Sequence, residues 1–314
     1  MVMPHKAFSE LILFLLLGSV LSFADSERGI LIREAGLHIY PDANSEKIST
    51  ASRGSEVAIF EKSHDWVKVF AQIHQDQEVR EVTGWILAKG IILTSTPNGD
   101  RILFGAAADA EDEASRAHGR RSAATDAMRM YARMAEYFPN SPLAAEALYR
   151  AGDIRWQIEY ADIMTLPSAK EQDPDVRPKM DEETMRQVIK KYPRTKWADL
   201  AAYHLLDNKV CGNWQAQPKC PEKETELYEN YVKDHPQSPK APEALYNAAW
   251  RQSALIEIYK TQDQAARSTA AAGKATTLAK RVATEYPDSD WASKALALQY
   301  KIEQNIPTYG SEKD

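Results

Sequence analysis

Four copies of one phrase punctuate the chain after residue 135. They read Tyr137-Phe138-Pro139-Asn140-Ser141, Lys191-Tyr192-Pro193-Arg194-Thr195, Asp234-His235-Pro236-Gln237-Ser238 and Glu285-Tyr286-Pro287-Asp288-Ser289. Each copy follows an amphipathic stretch and precedes an Ala-rich one. Proline lacks an N–H and clashes with the preceding turn, so it ends the helix before it. Two residues on, Ser or Thr can accept from the first free N–H groups of a new helix. Pro142 and Pro239 follow two of these caps at the first helical position, where a fixed φ helps. A chain punctuated this way is built from stacked helix pairs.

Small residues recur behind each cap: Ala144 and Ala147, Ala198 and Ala201, Ala241 and Ala244, Ala292 and Ala295, with Leu148, Leu245 and Leu296 beside them. Small side chains there let neighbouring helices lie close. The four prolines are 54, 43 and 51 residues apart. The tetratricopeptide period is about 34, so loops or longer helices are inserted between units. The phrase Y-P-x-S-x-x-A-x-x-A-L resembles the tetratricopeptide-like repeats of bacterial envelope proteins, of the kind in the lipoprotein of the outer-membrane β-barrel assembly machinery and in the Tol–Pal coordinator. Helices are expected at 104–118, 122–138, 141–160, 181–192, 195–207, 222–234, 239–262, 264–286 and 289–305, with a proline-rich loop at 164–180. They make about four antiparallel pairs. Recurring aromatics (Tyr149, Trp156, Tyr203, Tyr228, Trp250) are expected between the helices, a minority lining a groove open to partners.

Residues 29–95 lose the helical period. Val57-Ala58-Ile59-Phe60 is a short apolar strand. Asp65-Trp66-Val67-Lys68-Val69-Phe70 sends Trp66, Lys68 and Phe70 to one face and Val67 and Val69 to the other. Tyr40-Pro41-Asp42-Ala43 is a turn, and the polar stretch 71–83 before Gly84-Trp85-Ile86 reads as a hairpin with an extended loop. The order of turn, Gly-Ser-Glu-Val, Asp-Trp-Val-Lys-Val and Gly-Trp-Ile resembles the bacterial SH3 domain of envelope and cell-wall proteins. The family's usual Asn-Val-Arg in the first strand is Leu37-His38-Ile39 here, so a ligand contact through that arginine is not carried over. Such barrels often sit on peptidoglycan or peptide. Tyr40, Trp66 and Trp85 are therefore candidate ligand-binding residues, an aromatic shelf for sugar or peptide. The alternative places Trp66 and Trp85 in the core, because so small a domain needs its large apolar side chains. The fold class expected is thus a small all-β SH3-like barrel (25–100), then an all-α repeat array (101–306) and a tail (307–314). The array is expected to keep its helicity without residues 25–100.

Lys6 precedes an apolar run from Leu11 to Leu21, and Ser22-Phe23-Ala24 supplies small residues at −3 and −1 of a cleavage site. About eleven apolar residues are too few to span a bilayer, so residues 1–24 read as a secretory signal peptide cleaved after Ala24. The reading places the protein in the periplasm or otherwise outside the cytoplasm. No cysteine stands at the cleavage point for a lipid anchor, and no later segment is long and apolar enough to span.

The chain holds two cysteines, Cys211 and Cys220, flanking a Gly-, Asn- and Pro-containing stretch. In an oxidising compartment a pair this close is most simply a disulfide. Zinc is the alternative and would need two more ligands, with His204 and His235 the nearest. The net charge is −6 and neither part is basic, which argues against general nucleic-acid binding. No nucleophile elbow, P-loop, H-E-x-x-H or dinucleotide fingerprint occurs, so no catalytic, cofactor or metal residues are assigned. The acidic clusters Glu111-Asp112-Glu113 and Asp181-Glu182-Glu183 lie near expected helix starts, where they suit the helix dipole. The function expected is an exported envelope scaffold: the barrel targets wall or peptide material and the repeats recruit a protein. The competing class is a cell-wall enzyme or an accessory subunit of one.

Overall fold

A computed structural model describes residues 27–75 and 78–310. The expected signal peptide and its cleavage site lie outside the described residues, as do residues 311–314 of the tail.

Seven strands come first: β1 (Glu27–Leu31), β2 (Ala35–His38), β3 (Lys47–Ala51), β4 (Glu56–Ser63), β5 (Trp66–Gln75), β6 (Glu78–Leu87) and β7 (Ile91–Leu93). They form one antiparallel sheet in the order β3-β2-β6-β5-β4-β1-β7. Strand alternation decides its core: Val67, Val69, Ala71 and Ile73 of β5 point inward with Leu37, Val57 and Ile86. The polar stretch 71–83 is not an extended loop. The two long strands β5 and β6 pair through it in unbroken register, from Trp66 opposite Leu87 to Ile73 opposite Arg80. The period-two pattern Val67, Val69, Ala71, Ile73 carries the strand onward because every second residue is buried, whatever the polarity between.

Nine helices follow among the described residues: α1 (Gly99–Ala114), α2 (Ala123–Tyr137), α3 (Ala144–Ile163), α4 (Glu183–Lys191), α5 (Lys196–His204), α6 (Lys219–Asp234), α7 (Ala241–Thr261), α8 (Ala265–Glu285) and α9 (Asp290–Glu303). The expected segments are all present, with shifted ends. Helix α1 begins earlier, at Gly99, and α6 takes in Cys220 and Pro221. The proline-rich loop carries one 3₁₀ turn at Pro167–Lys170.

The four prolines act alike. The residue before each, Phe138, Tyr192, His235 and Tyr286, ends its helix at φ −127 to −134° and ψ 54 to 56°. Proline's Cδ excludes the α region from the preceding residue, so none of the four continues its helix. The starts differ. Thr195 is the cap expected of it, its Oγ1 accepting from Ala198 N at 3.2 Å. Ser141 and Ser238 instead open a tight turn one step earlier and accept from Leu143 N and Lys240 N, the first N–H groups after Pro142 and Pro239. Ser289 makes no side-chain cap; its hydroxyl donates back to Tyr286 O. Behind these starts every repeated alanine is buried. Leu148 and Leu245 are buried too, but Leu296 of α9 is 56% exposed, a departure from the repeat.

The sheet and the helices meet. Ile30 of β1 is fully buried in the cluster of α1, α2 and α3 rather than in the sheet core. Tyr137 at the end of α2 donates to Glu56 at 2.7 Å, and Arg129 Nε donates to Arg53 O at 3.2 Å. Gly54, at φ +76°, lays the β3–β4 turn on α2, where an added Cβ would stand 2.7 Å from Arg129 Cβ.

Cys211 and Cys220 lie at disulfide distance, with Cα atoms 6.0 Å apart. Glu224, 1% exposed, organises the loop they close. Its carboxylate accepts from Cys211 N at 2.9 Å, Trp214 Nε1 at 3.1 Å and Arg251 Nε at 2.6 Å. Trp214 in turn packs on Trp250 and Tyr309.

Two stability outcomes follow from this packing. Gly54→Val forces a branched residue to positive φ against α2 and should cost roughly 1–3 kcal/mol, read as a lower melting temperature. Glu224→Ala leaves the Arg251 charge buried without its partner and should cost about 3–5 kcal/mol. Reducing the disulfide opens only a short ring, whose entropy is worth about 2–3 kcal/mol. Thermal melts with and without reductant should therefore rank the Glu224 change as the larger loss.

Candidate functional site

Two features of the surface are candidate binding faces: the outer face of the sheet, and hollows that start at the sheet and run along α2. Strand pairing builds the first. Trp66 stands opposite Leu87, and Trp85 stands opposite both Lys68 and His38. Trp66, Lys68, Trp85 and His38 therefore share the face away from the Val67, Val69 and Ile86 core. Trp66 is half-buried and meets the His38 ring edge-on, with centroids 5.4 Å apart. His38 is fixed by Nδ1 at 2.9 Å from Ser45 O. Leu37, beside it, is a core residue with no exposure. The position that usually carries arginine falls on Ile39, exposed just after β2, and the imidazole packed on Trp66 stands one residue before it.

Trp85 is 7% exposed, yet it is absent from the sheet's inner core. It is a buried floor on the outer face, while Trp66 is the part a ligand can reach. Tyr40 is 67% exposed in the turn after β2. Among the described residues no ring contact joins it to either tryptophan, so the structure brings Trp66 and Trp85 together and leaves Tyr40 apart. Gly84 makes the arrangement fit. A Cβ there would come within 3.1 Å of His38 O and 3.2 Å of Leu37 Cβ, where β2 pairs with β6. The Gly-Trp-Ile phrase needs its glycine for this close approach.

A groove lined by some of the recurring helical aromatics was expected, and none of those aromatics lines this one. Its larger part, about 800 Å³, lies among α2, α3 and α4. Leu148, Ala151, Arg155 and Ile158 fall on one stripe of α3 and face Met128 and Ala132 of α2. A second part, about 530 Å³, lies between the sheet and α2 beside Ala58, Phe70 and Ile73. Both parts share Arg129, Ala132 and Glu136, so they adjoin across this stripe of α2. The rim is charged and mostly paired: Arg133 to Glu56 at 3.3 Å and to Glu136 at 2.7 Å, Arg155 to Glu159 at 2.8 Å and to Asp181 at 2.8 Å. Burial, then the Glu56 carboxylate, push the Tyr137 phenol far above its ordinary range, so it stays a donor at the junction.

The alternative metal site is not assembled. His204 Nε2 lies 2.9 Å from Asp153, and His235 Nδ1 lies 2.8 Å from Asp199. Among the described residues no group of three or more His, Cys, Asp or Glu is placed to hold a metal ion, and no helix is long and apolar enough to cross a membrane. Burial raises the pKa of Asp207, which accepts from Trp156 Nε1 at 3.3 Å between α3 and the end of α5.

The roles of the two tryptophans separate by mutation. Trp66→Ala should lose ligand on the outer face with a melting temperature close to wild type. Trp85→Ala should lower the melting temperature, with a cost of about 3–5 kcal/mol typical of a buried aromatic. Gly84→Val should act like Trp85→Ala. Equal melting losses for the Trp66 and Trp85 variants would show that both are core residues.

Two solved structures, titled DHF58 filament and DHF79 filament, are similar to this chain at 16% and 15% identity. They cover 65% and 64% of it and 91% and 96% of themselves, with TM-scores of 0.23 and 0.24, too distant to bear on the fold. No curated protein matches the chain. The family comparison is local: residues 34–92, from just before β2 to β7, match the bacterial SH3 domain.

Proposed function

We propose that the chain is an exported scaffold of the bacterial cell envelope, in which the SH3-like sheet holds wall or peptide material and the helices recruit a protein partner. The SH3 match and the cysteine pair at disulfide distance support an extracytoplasmic setting. The tetratricopeptide-like reading of the helices rests on the repeated proline phrase and the buried alanines behind it. The observation that carries the reading is the pair of adjoining hollows along α2, because an apolar floor with a charged rim suits a segment of another protein. They run from the sheet to α4, so sheet and helices present one surface.

The outer face and the groove can be tested apart. In crosslinking of native envelopes, wild-type chain should capture a reproducible partner, and Ala132→Arg with Ile158→Asp in the groove should lose it. The same double variant should still sediment with purified peptidoglycan, whereas Trp66→Ala should not. If the groove variant keeps every crosslinked partner, the groove is not the recruiting surface. Hydrolysis of peptidoglycan by the purified chain alone would move the assignment to the enzyme class.

A further inference from the structure

The exposed faces of α1 and α9 carry matching patterns. On α9 the outward stripe holds Ser293, Leu296, Ala297, Tyr300 and Glu303, with Lys294 on its other rim. Leu296 is 56% exposed and Tyr300 60%. The opposite face of α9, through Ala292, Ala295 and Leu298, is already buried. On α1 the outward stripe holds Arg101, Ile102, Gly105, Asp109 and Asp112, while Leu103, Ala107 and Ala110 face inward. Among the described residues none of Arg101, Asp109, Lys294 and Glu303 has an ion-pair partner; Lys294 only overlies the Trp291 ring. A Cβ added to Gly105 would meet nothing within 4 Å. A glycine within a helix costs about 1 kcal/mol against alanine, and nothing else in the chain requires this one.

We infer that α9 of one copy packs antiparallel on α1 of a second copy, joining the chains head to tail. At 100° per residue one antiparallel register satisfies both stripes at once. It sets the Tyr300 ring over the bare backbone at Gly105 and Leu296 over Ala108. It sets Lys294 against Asp109 on one rim and Glu303 against Arg101 on the other. The two rims carry opposite charge order, so the parallel orientation would lose both pairs. The contact uses different patches on each copy, so it repeats from chain to chain rather than closing as a twofold dimer. A single helix pair is a small interface, so association is expected at roughly 10–500 µM rather than below.

The test is sedimentation velocity on the full chain, purified from an exporting host, over that concentration range. Wild type should gain average mass with concentration, and Tyr300→Ala should not. Lys294→Glu with Glu303→Lys inverts the α9 rims at constant net charge, and Arg101→Glu with Asp109→Lys does the same on α1. Each double variant alone should stay monomeric with an unchanged far-ultraviolet circular dichroism spectrum. Mixing the two variants, or combining all four changes in one chain, should restore association. Gly105→Ala should raise the melting temperature while weakening association. A wild type that stays monomeric throughout the range overturns the inference. So does association that survives either double variant, or mixed variants that remain apart.

Discussion

The architecture of the helical part rests on what proline does to the residue before it. Four aromatic residues, Phe138, Tyr192, His235 and Tyr286, leave the helix with closely similar φ and ψ, and each precedes a proline that excludes the α region. That constraint ends each helix at a fixed point and turns the chain back. The next helix then starts within a few residues, which sets the phase at which its alanines face the neighbour. Ala144, Ala147, Ala241 and Ala244 are fully buried for that reason. The starts are less uniform than the stops. A hydroxyl cap adjusts to whatever N–H is free, whereas a ring clash excludes the α region each time.

The sheet is attached through the same geometry. The first proline phrase puts Tyr137 where its hydroxyl reaches Glu56, and Ser141 donates to Asp100 at the start of α1. Gly54 lets the β3–β4 turn touch α2, and Ile30 leaves the sheet to fill a helical pocket. These contacts bring the wall of the sheet beside α2, and the groove follows as the space between and beyond them.

The second half of the helices depends on a buried ion pair. Glu224 and Arg251 are both largely out of water, which costs several kcal/mol per ion unless other hydrogen bonds complete the set. Here the carboxylate also holds Cys211 N and the Trp214 indole, so the charge is spent on positioning the loop. The disulfide fixes the loop's ends, and Glu224 fixes its interior. Trp214 is thereby held against Trp250, and residues 308–309 return from α9 to cover it through Thr308 to Ser253 and Tyr309 to Trp214.

Much of the fold was legible because its signals are local. The prolines, the buried alanines, the alternating valines of β5 and the Gly-Trp-Ile phrase each act within a few residues. The sequence therefore determined the order of a β part and an α part, the position of each helix and the pairing of the two cysteines. It read 71–83 as a hairpin with an extended loop; the hairpin is there, but polar residues mask strands that stay paired as far as Gln75 opposite Glu78. Which tryptophan is reachable, Trp66 rather than Trp85, was decided only by the assembled sheet, in which Trp85 of β6 lies between β2 and β5. The groove and the buried Glu224 likewise exist only in the folded chain. Ala58, Ala132 and Ile158 are ordinary residues far apart in sequence, and a concave surface is made by the distance between elements, which no local pattern encodes.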